Sequence, residues 1–291
     1  MKFTRNLYCS EDKRLLPYLE RIERLSELSK KLPQRAVLRF APDDTFEKAL
    51  DTGDFQSATL QIINDVYQRI EFFWYTSAFK ATKLCEALVN SYNTQNLLAW
   101  CLIARSTIEY SAVISYFFNK LLGLNPVTTC LGVKQIQEIE SLLIKYSHGT
   151  RFNWDVLATG NIEEILKNYQ PTKESPSAIN VLTALSHLAK SHERFRESEA
   201  MYAMLSDFAH PNMASHSLVC DMPENETALR EYWLSSWPNQ KRGYFVMIAT
   251  LPAVDLNVCN IFHILTELET IAAHWGQIAA REVGIEIEGR Q

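Results

Sequence analysis

The stretch L-L-A-W-C-L-I-A-R-S-T-I-E-Y-S-A-V-I-S-Y-F-F, residues 97–118, carries only two charges, Arg105 and Glu109. Set four apart on a helix, they stand on neighbouring turns of one face and can meet directly. The length would suit a bilayer span of about twenty residues. An Arg near the middle of a span, however, costs roughly 2.5–3.5 kcal/mol on insertion scales, and Glu109 adds to that. No cluster of Lys or Arg flanks the stretch. The expectation is a central helix of a bundle, with no membrane partner.

Upstream, Phe55, Ile62, Val66, Ile70, Phe73, Trp74, Ala81, Leu84, Leu88 and Tyr92 recur mostly at steps of three and four. That spacing predicts a very long helix from Phe55 to Tyr92. Asn93-Thr94 then serve as a turn, so the two helices form an antiparallel hairpin. Gly123, Asn125 and Pro126 close the second of them. Before the hairpin, Ser10 is suited to cap a helix running to about Leu32, with Pro33 ending it. After it come a helix at Val133–Tyr146 and a short one near Asn161–Tyr169. A third long helix is expected from a cap at Ser177 to Ala209, where Pro211 stops it. A last one spans Tyr244–Ala280 and contains Pro252. Between these two, S-H-S-L-V-C and E-Y-W-L are candidates for a short β-hairpin. The predicted fold class is all-α, a bundle of long antiparallel helices. A basic helical segment at 1–45 precedes one bundle domain at 46–291, which has an irregular insertion at about 211–240.

Hydrophobic content of 47% against 22% charged residues supplies a core and excludes wholesale disorder. The net charge of −5 gives no global attraction to nucleic acid. Residues 1–40 nevertheless hold ten Lys/Arg against five Asp/Glu, and the remainder nineteen against twenty-nine. Such a basic segment either touches phosphate or docks on the protein's own acidic surface. The six cysteines form no C-x-x-C pair, and the amino-terminal residues lack the apolar run of a signal peptide. A cytoplasmic location is expected.

Two elements carry candidate chemistry. Arg105 and Glu109 are a buried ion pair that pins helix register, an Arg held by Glu109 to bind an anion such as phosphate, or a partly exposed pair at a helix edge. The second element is Y-A-M-L-S-D-F-A-H-P-N, Tyr202 to Asn212. Tyr202, Ser206 and His210 recur every four residues on one face, with Glu199 and His192 near the same stripe. His210 suits acid–base work near neutral pH and Tyr202 a donor role. The plainer account makes His210 and Asn212 parts of a helix ending before Pro211.

A helix with R-x-x-x-E (Arg105 to Glu109), followed by one ending Y-x-x-L-S-x-x-x-H-P-N (Tyr202 to Asn212), resembles uncharacterised prokaryotic helical families allied to the HEPN superfamily. The resemblance covers roughly residues 55–280. It implies a helical bundle, often a homodimer, and a metal-independent RNase or RNA-binding component of a toxin or antiviral defence system. The implied partners are RNA and a protein such as an antitoxin. Implied catalytic residues are Arg105, Glu109 and His210, supported by Tyr202, Ser206, Asp207 and Asn212. The superfamily's nucleases carry R-x(4–6)-H, and none of the seven histidines here has an Arg at that distance. An Arg–His pair would have to come from distant segments. Otherwise the same residues form a structural polar lock in a non-catalytic interaction module.

Neither H-E-x-x-H nor E-x-x-H occurs; Asp207 and His210 make a lone D-x-x-H. No cofactor or metal is expected. P-loop, G-x-G-x-x-G and G-x-S-x-G patterns are absent as well. His263, Glu267 and His274 on the last helix suit a core or interface stripe better than a metal site. The aromatics Phe72–Tyr75 and Tyr116–Phe118 lack interleaved cations, so core packing is expected of them.

Overall fold

Residues 55–93 contain neither glycine nor proline and residues 97–122 likewise, so the backbone can satisfy its own hydrogen bonds as uninterrupted helix. A computed structural model describes residues 1–4, 12–32, 37–40, 42–127, 132–149, 156, 160–168, 170, 178–221, 233–234 and 240–283. Among these the protein is all-α. Its helices are α1 (Leu16–Glu27), α2 (Asp43–Asp51), α3 (Phe55–Asn93), α4 (Leu97–Gly123), α5 (Val133–His148), α6 (Ile162–Asn168), α7 (Val181–Ser191), α8 (Ser198–Ala209), α9 (Met213–Ser217) and α10 (Gln240–Val283). Between α3 and α4, Gln95 takes a left-handed φ of 54°. The Asn96 side chain then accepts from the Ala99 N–H at 2.9 Å to cap α4.

Two expectations need correction, the continuity of the helix to Ala209 and the extent of the hairpin. The proposed caps Ser10 and Ser177 lie outside the described residues, and α1 starts at Leu16 with Pro17 in its first turn. The predicted helix to Ala209 is not continuous. It breaks at His192, whose extended backbone (φ −157°, ψ 140°) begins a 3-10 turn at Glu193–Phe195, with ring Nδ1 accepting from the Arg194 N–H. The long helices are therefore α3, α4 and α10. In the insertion, Ser215–Ser217 are helical, and extended pairing reduces to Cys220 opposite Leu234 and Asp221 opposite Trp233.

The described chain divides into two compact units. The first comprises residues 1–34, 76–116 and 181–265. Its core joins Leu19 and Ile22 of α1, Leu88 and Tyr92 of α3, Trp100, Ala104 and Ile108 of α4, Leu185 and Leu188 of α7, Leu205 of α8, and Leu251 and Val254 of α10. The Trp100 indole donates to Thr250 Oγ1 at 3.0 Å, so its polar atom is satisfied inside this core. Phe3 lies edge-on to Tyr92, and the Phe3 N–H donates to Glu23 at 2.6 Å, which docks the chain start on α1.

The second unit comprises residues 35–75, 117–180 and 266–291. Phe73 packs on Phe117 with ring centroids 4.2 Å apart, and Phe117 on Tyr146 at 5.0 Å. The Trp275 indole donates to the Pro126 carbonyl at 2.9 Å. Phe73, Phe117 and Phe118 thus take the expected packing role, and Phe72, Trp74, Tyr75 and Tyr116 are half-buried.

Leu97–Gly123 and Gly243–Ala280 are long and apolar enough to cross a membrane, with mean hydropathy 1.4 and 1.7. Half of the first window and 44% of the second are buried against other parts of the protein.

Arg21 of the basic segment grips Asp255 of α10 through two hydrogen bonds of 2.8 Å, and the carboxylate is 6% exposed. Burial pushes the Asp255 carboxyl above its ordinary range, and Arg21 pulls it back. Arg21→Ala should cost about 1.5–3 kcal/mol at pH 7 in urea denaturation. A carboxyl raised in the folded state favours the fold below its unfolded pKa and loses that contribution as pH rises through the folded value. Removing Arg21 raises Asp255 further, so the deficit should shrink as the pH is lowered from 7 toward about 4.

Candidate anion site at Arg105

Trp100, Ala104, Ile108 and Ala112 form the fully buried seam of α4. At 100° per residue, Arg105 and Glu109 each sit one step round from that seam, at the edge of the core. Their side chains are 29% and 28% exposed, and Arg105 Nη2 lies 3.1 Å from Glu109 Oε1. The pair is thus the partly exposed edge pair of the three readings and not a fully buried one.

Tyr202 of α8 completes the clamp. Arg105 Nη2 donates to the Tyr202 hydroxyl at 3.2 Å, and the guanidinium carbon lies 5.2 Å from the ring centre. The hydrogen bond to Tyr202, followed by the charge of Glu109, raises Arg105 above its ordinary pKa against the opposing effect of burial. Arg105 Nε is buried without a hydrogen-bond partner, and so is the Oγ of Ser206, one turn beyond Tyr202. Each such atom costs on the order of 1–3 kcal/mol when unsatisfied.

Lys80 of α3 joins this region without any sequence signal to announce it. Its ammonium lies 4.4 Å from the Tyr110 ring centre. Desolvation lowers its pKa while the charge of Glu109 holds it up. Burial in turn pushes the Tyr110 phenol up to about 12. Arg105 thus pairs with Glu109 directly, and Lys80 feels the same carboxylate through its charge.

The rest of the second motif is spent on backbone. Ala209 is the last residue of α8, and His210 follows in an extended conformation (φ −89°, ψ 151°) with an exposed side chain. Asn212 caps α9, exchanging hydrogen bonds with Ser215 in a capping box, and its amide donates to Asp207 at 2.6 Å. Among the described residues, no hydrogen bond or ion pair joins His210 to Arg105 or Glu109. Eight residues separate it from Tyr202, about 12 Å along a helix axis. His192 lies in the break between α7 and α8, so the longer polar stripe is not continuous. Among the described residues no group of three His, Cys, Asp or Glu side chains could hold a metal ion.

The Arg105–Glu109–Tyr202 clamp and the Asp207–Asn212–Ser215 turn therefore separate by role. Asn212→Ala should lower stability by about 1 kcal/mol, the usual cost of a lost N-cap, as a shift in the urea midpoint. No family model matches the chain, and neither a curated protein nor a solved structure matches it.

Proposed function

We propose that this chain is a HEPN-like helical protein that engages RNA through its phosphates, with Arg105 as the phosphate contact. The observation that carries the proposal is the guanidinium itself. Its Nη2 is held by Glu109 and Tyr202, its Nε is buried and unsatisfied, and its side chain is still nearly one-third exposed. An Arg oriented in advance loses less freedom on meeting a phosphate than a mobile surface Arg does. Lys80 is a second cation that feels the charge of Glu109. A homodimer in a toxin or antiviral defence setting is the context that the resemblance implies, and the sequence reading adds a cytoplasmic location.

RNA binding is favoured over cleavage. An acid–base group has to stand within about 3 Å of the proton it transfers, or one water away. His210 belongs to the end of α8, and Asp207 and Asn212 are engaged in the turn that follows.

The test uses the full chain and a short fluorescent single-stranded RNA, followed by anisotropy at several salt concentrations. Arg105→Ala should weaken binding and reduce the salt slope by about one phosphate contact. Arg105→Lys should retain part of the affinity. A thermal melt should move little, because a partly exposed pair contributes roughly 0–1 kcal/mol. Unchanged RNA affinity and salt slope in Arg105→Ala would refute the proposal. Appearance of RNA fragments in the presence of chelator, lost in His210→Ala, would replace the binding reading with the nuclease one.

A further inference from the structure

We infer that the second unit holds a small-molecule site between α3, α5 and residues 37–40, suited to a monocarboxylate whose apolar body is about one ring in size. A cavity of about 160 Å³ lies there, walled in part by Phe40, Phe72 and Ile144 and reached by Arg69, Ser147 and His148. A protein cavity of about 150 Å³ with apolar walls is known to accept benzene, so the space suits one ring.

The polar side of the cavity selects charge. Arg69 Nε donates to Glu140 Oε1 at 3.1 Å, and the guanidinium carbon stands 5.2 Å from the centre of the Phe40 ring. Those two contacts fix the plane of the fork. Both Nη groups remain without a hydrogen-bond partner among the described residues, and the paired N–H groups of an Arg end match the two oxygens of a carboxylate. Ser147 lines the same cavity. Beside it, the His148 ring is 16° from parallel to Phe72 with centroids 6.0 Å apart, giving a flat wall against which a planar ligand can lie. Arg69 already balances Glu140, so a dianion such as phosphate would leave two excess negative charges among apolar walls where a monocarboxylate leaves one. A neutral ring would leave the Arg69 fork unused. A singly charged carboxylate on a compact apolar body satisfies both constraints.

The probe is benzoate, titrated calorimetrically into the full chain, with benzyl alcohol and inorganic phosphate as comparison ligands. Benzoate should bind saturably with one site per chain, and each comparison ligand should bind at least about tenfold more weakly. Ile144→Trp fills the cavity from a half-buried wall position and keeps the Arg69–Glu140 pair, so it should abolish benzoate binding. Arg69→Gln should weaken it by about tenfold or more, with a thermal melt confirming that the variant is folded. Arg105→Ala should bind benzoate as the parent protein does, which separates this site from RNA contact at Arg105. Benzyl alcohol or phosphate binding as well as benzoate would overturn the inference. So would benzoate affinity unchanged in Ile144→Trp, or no saturable benzoate binding at millimolar concentration.

Discussion

A helix that buries residues at every fourth position drifts by about 40° per step, so its buried seam winds slowly round the axis. In α4 the seam is Trp100, Ala104, Ile108 and Ala112, and its small alanines allow neighbouring elements close approach. The rest of the first unit depends on that seam. Residues one position on, Arg105 and Glu109, are carried to the rim of the core, where charge can be kept at moderate cost. One position back they would need full desolvation. The seam thus sets the burial of the guanidinium without contacting it chemically.

At the rim, an i,i+4 pair alone would contribute only tenths of a kcal/mol. Tyr202 changes the geometry more than the energy. Its ring and hydroxyl meet the guanidinium from another helix, and the same Nη2 that contacts Glu109 donates to the phenol. A side chain with about 2 kcal/mol of rotamer entropy is thereby held in one orientation before any ligand arrives. Structural locking and anion binding are consequently not exclusive here: the contacts that lock Arg105 are those that prepare it. What separates the two roles is solvent access, and the Arg105 side chain as a whole is 29% exposed.

The all-α class and the course of α3, α4, α5 and α10 were legible because apolar spacing over fifteen or more residues outweighs local preference. The Arg105–Glu109 contact was legible for the same reason, being set by the helix repeat itself. The break at His192 was not. Neither Gly nor Pro stands between Ser191 and Ser198, and the interruption rests on a His ring accepting from the Arg194 N–H, a contact that propensity does not encode. Tyr202 was readable as a polar residue on a face, but its partner is 97 positions away. Lys80 gave no signal at all, since its relation to Glu109 exists only once α3 and α4 pack. The H-P-N element follows the plainer of its two accounts. It is a local device for ending one helix and starting another, so similarity in it transfers chain direction more readily than chemistry.

The two arginines set apart by structure differ in which edge of the fork remains available, and that difference bears on what each can hold. Arg69 spends Nε on Glu140 and keeps both Nη groups, an end-on pair that can receive two carboxylate oxygens at once. Arg105 spends Nη2 on Glu109 and Tyr202 and has Nε buried, so no two adjacent donors are both free and exposed. Its contact with a ligand is closer to that of a single directed charge. A single contact of this kind fixes little about ligand shape, which suits one phosphate among many along a strand, where affinity accumulates over repeated contacts. An end-on fork at the wall of an apolar cavity suits the opposite case, a small ligand that has to be recognised whole by one protein site.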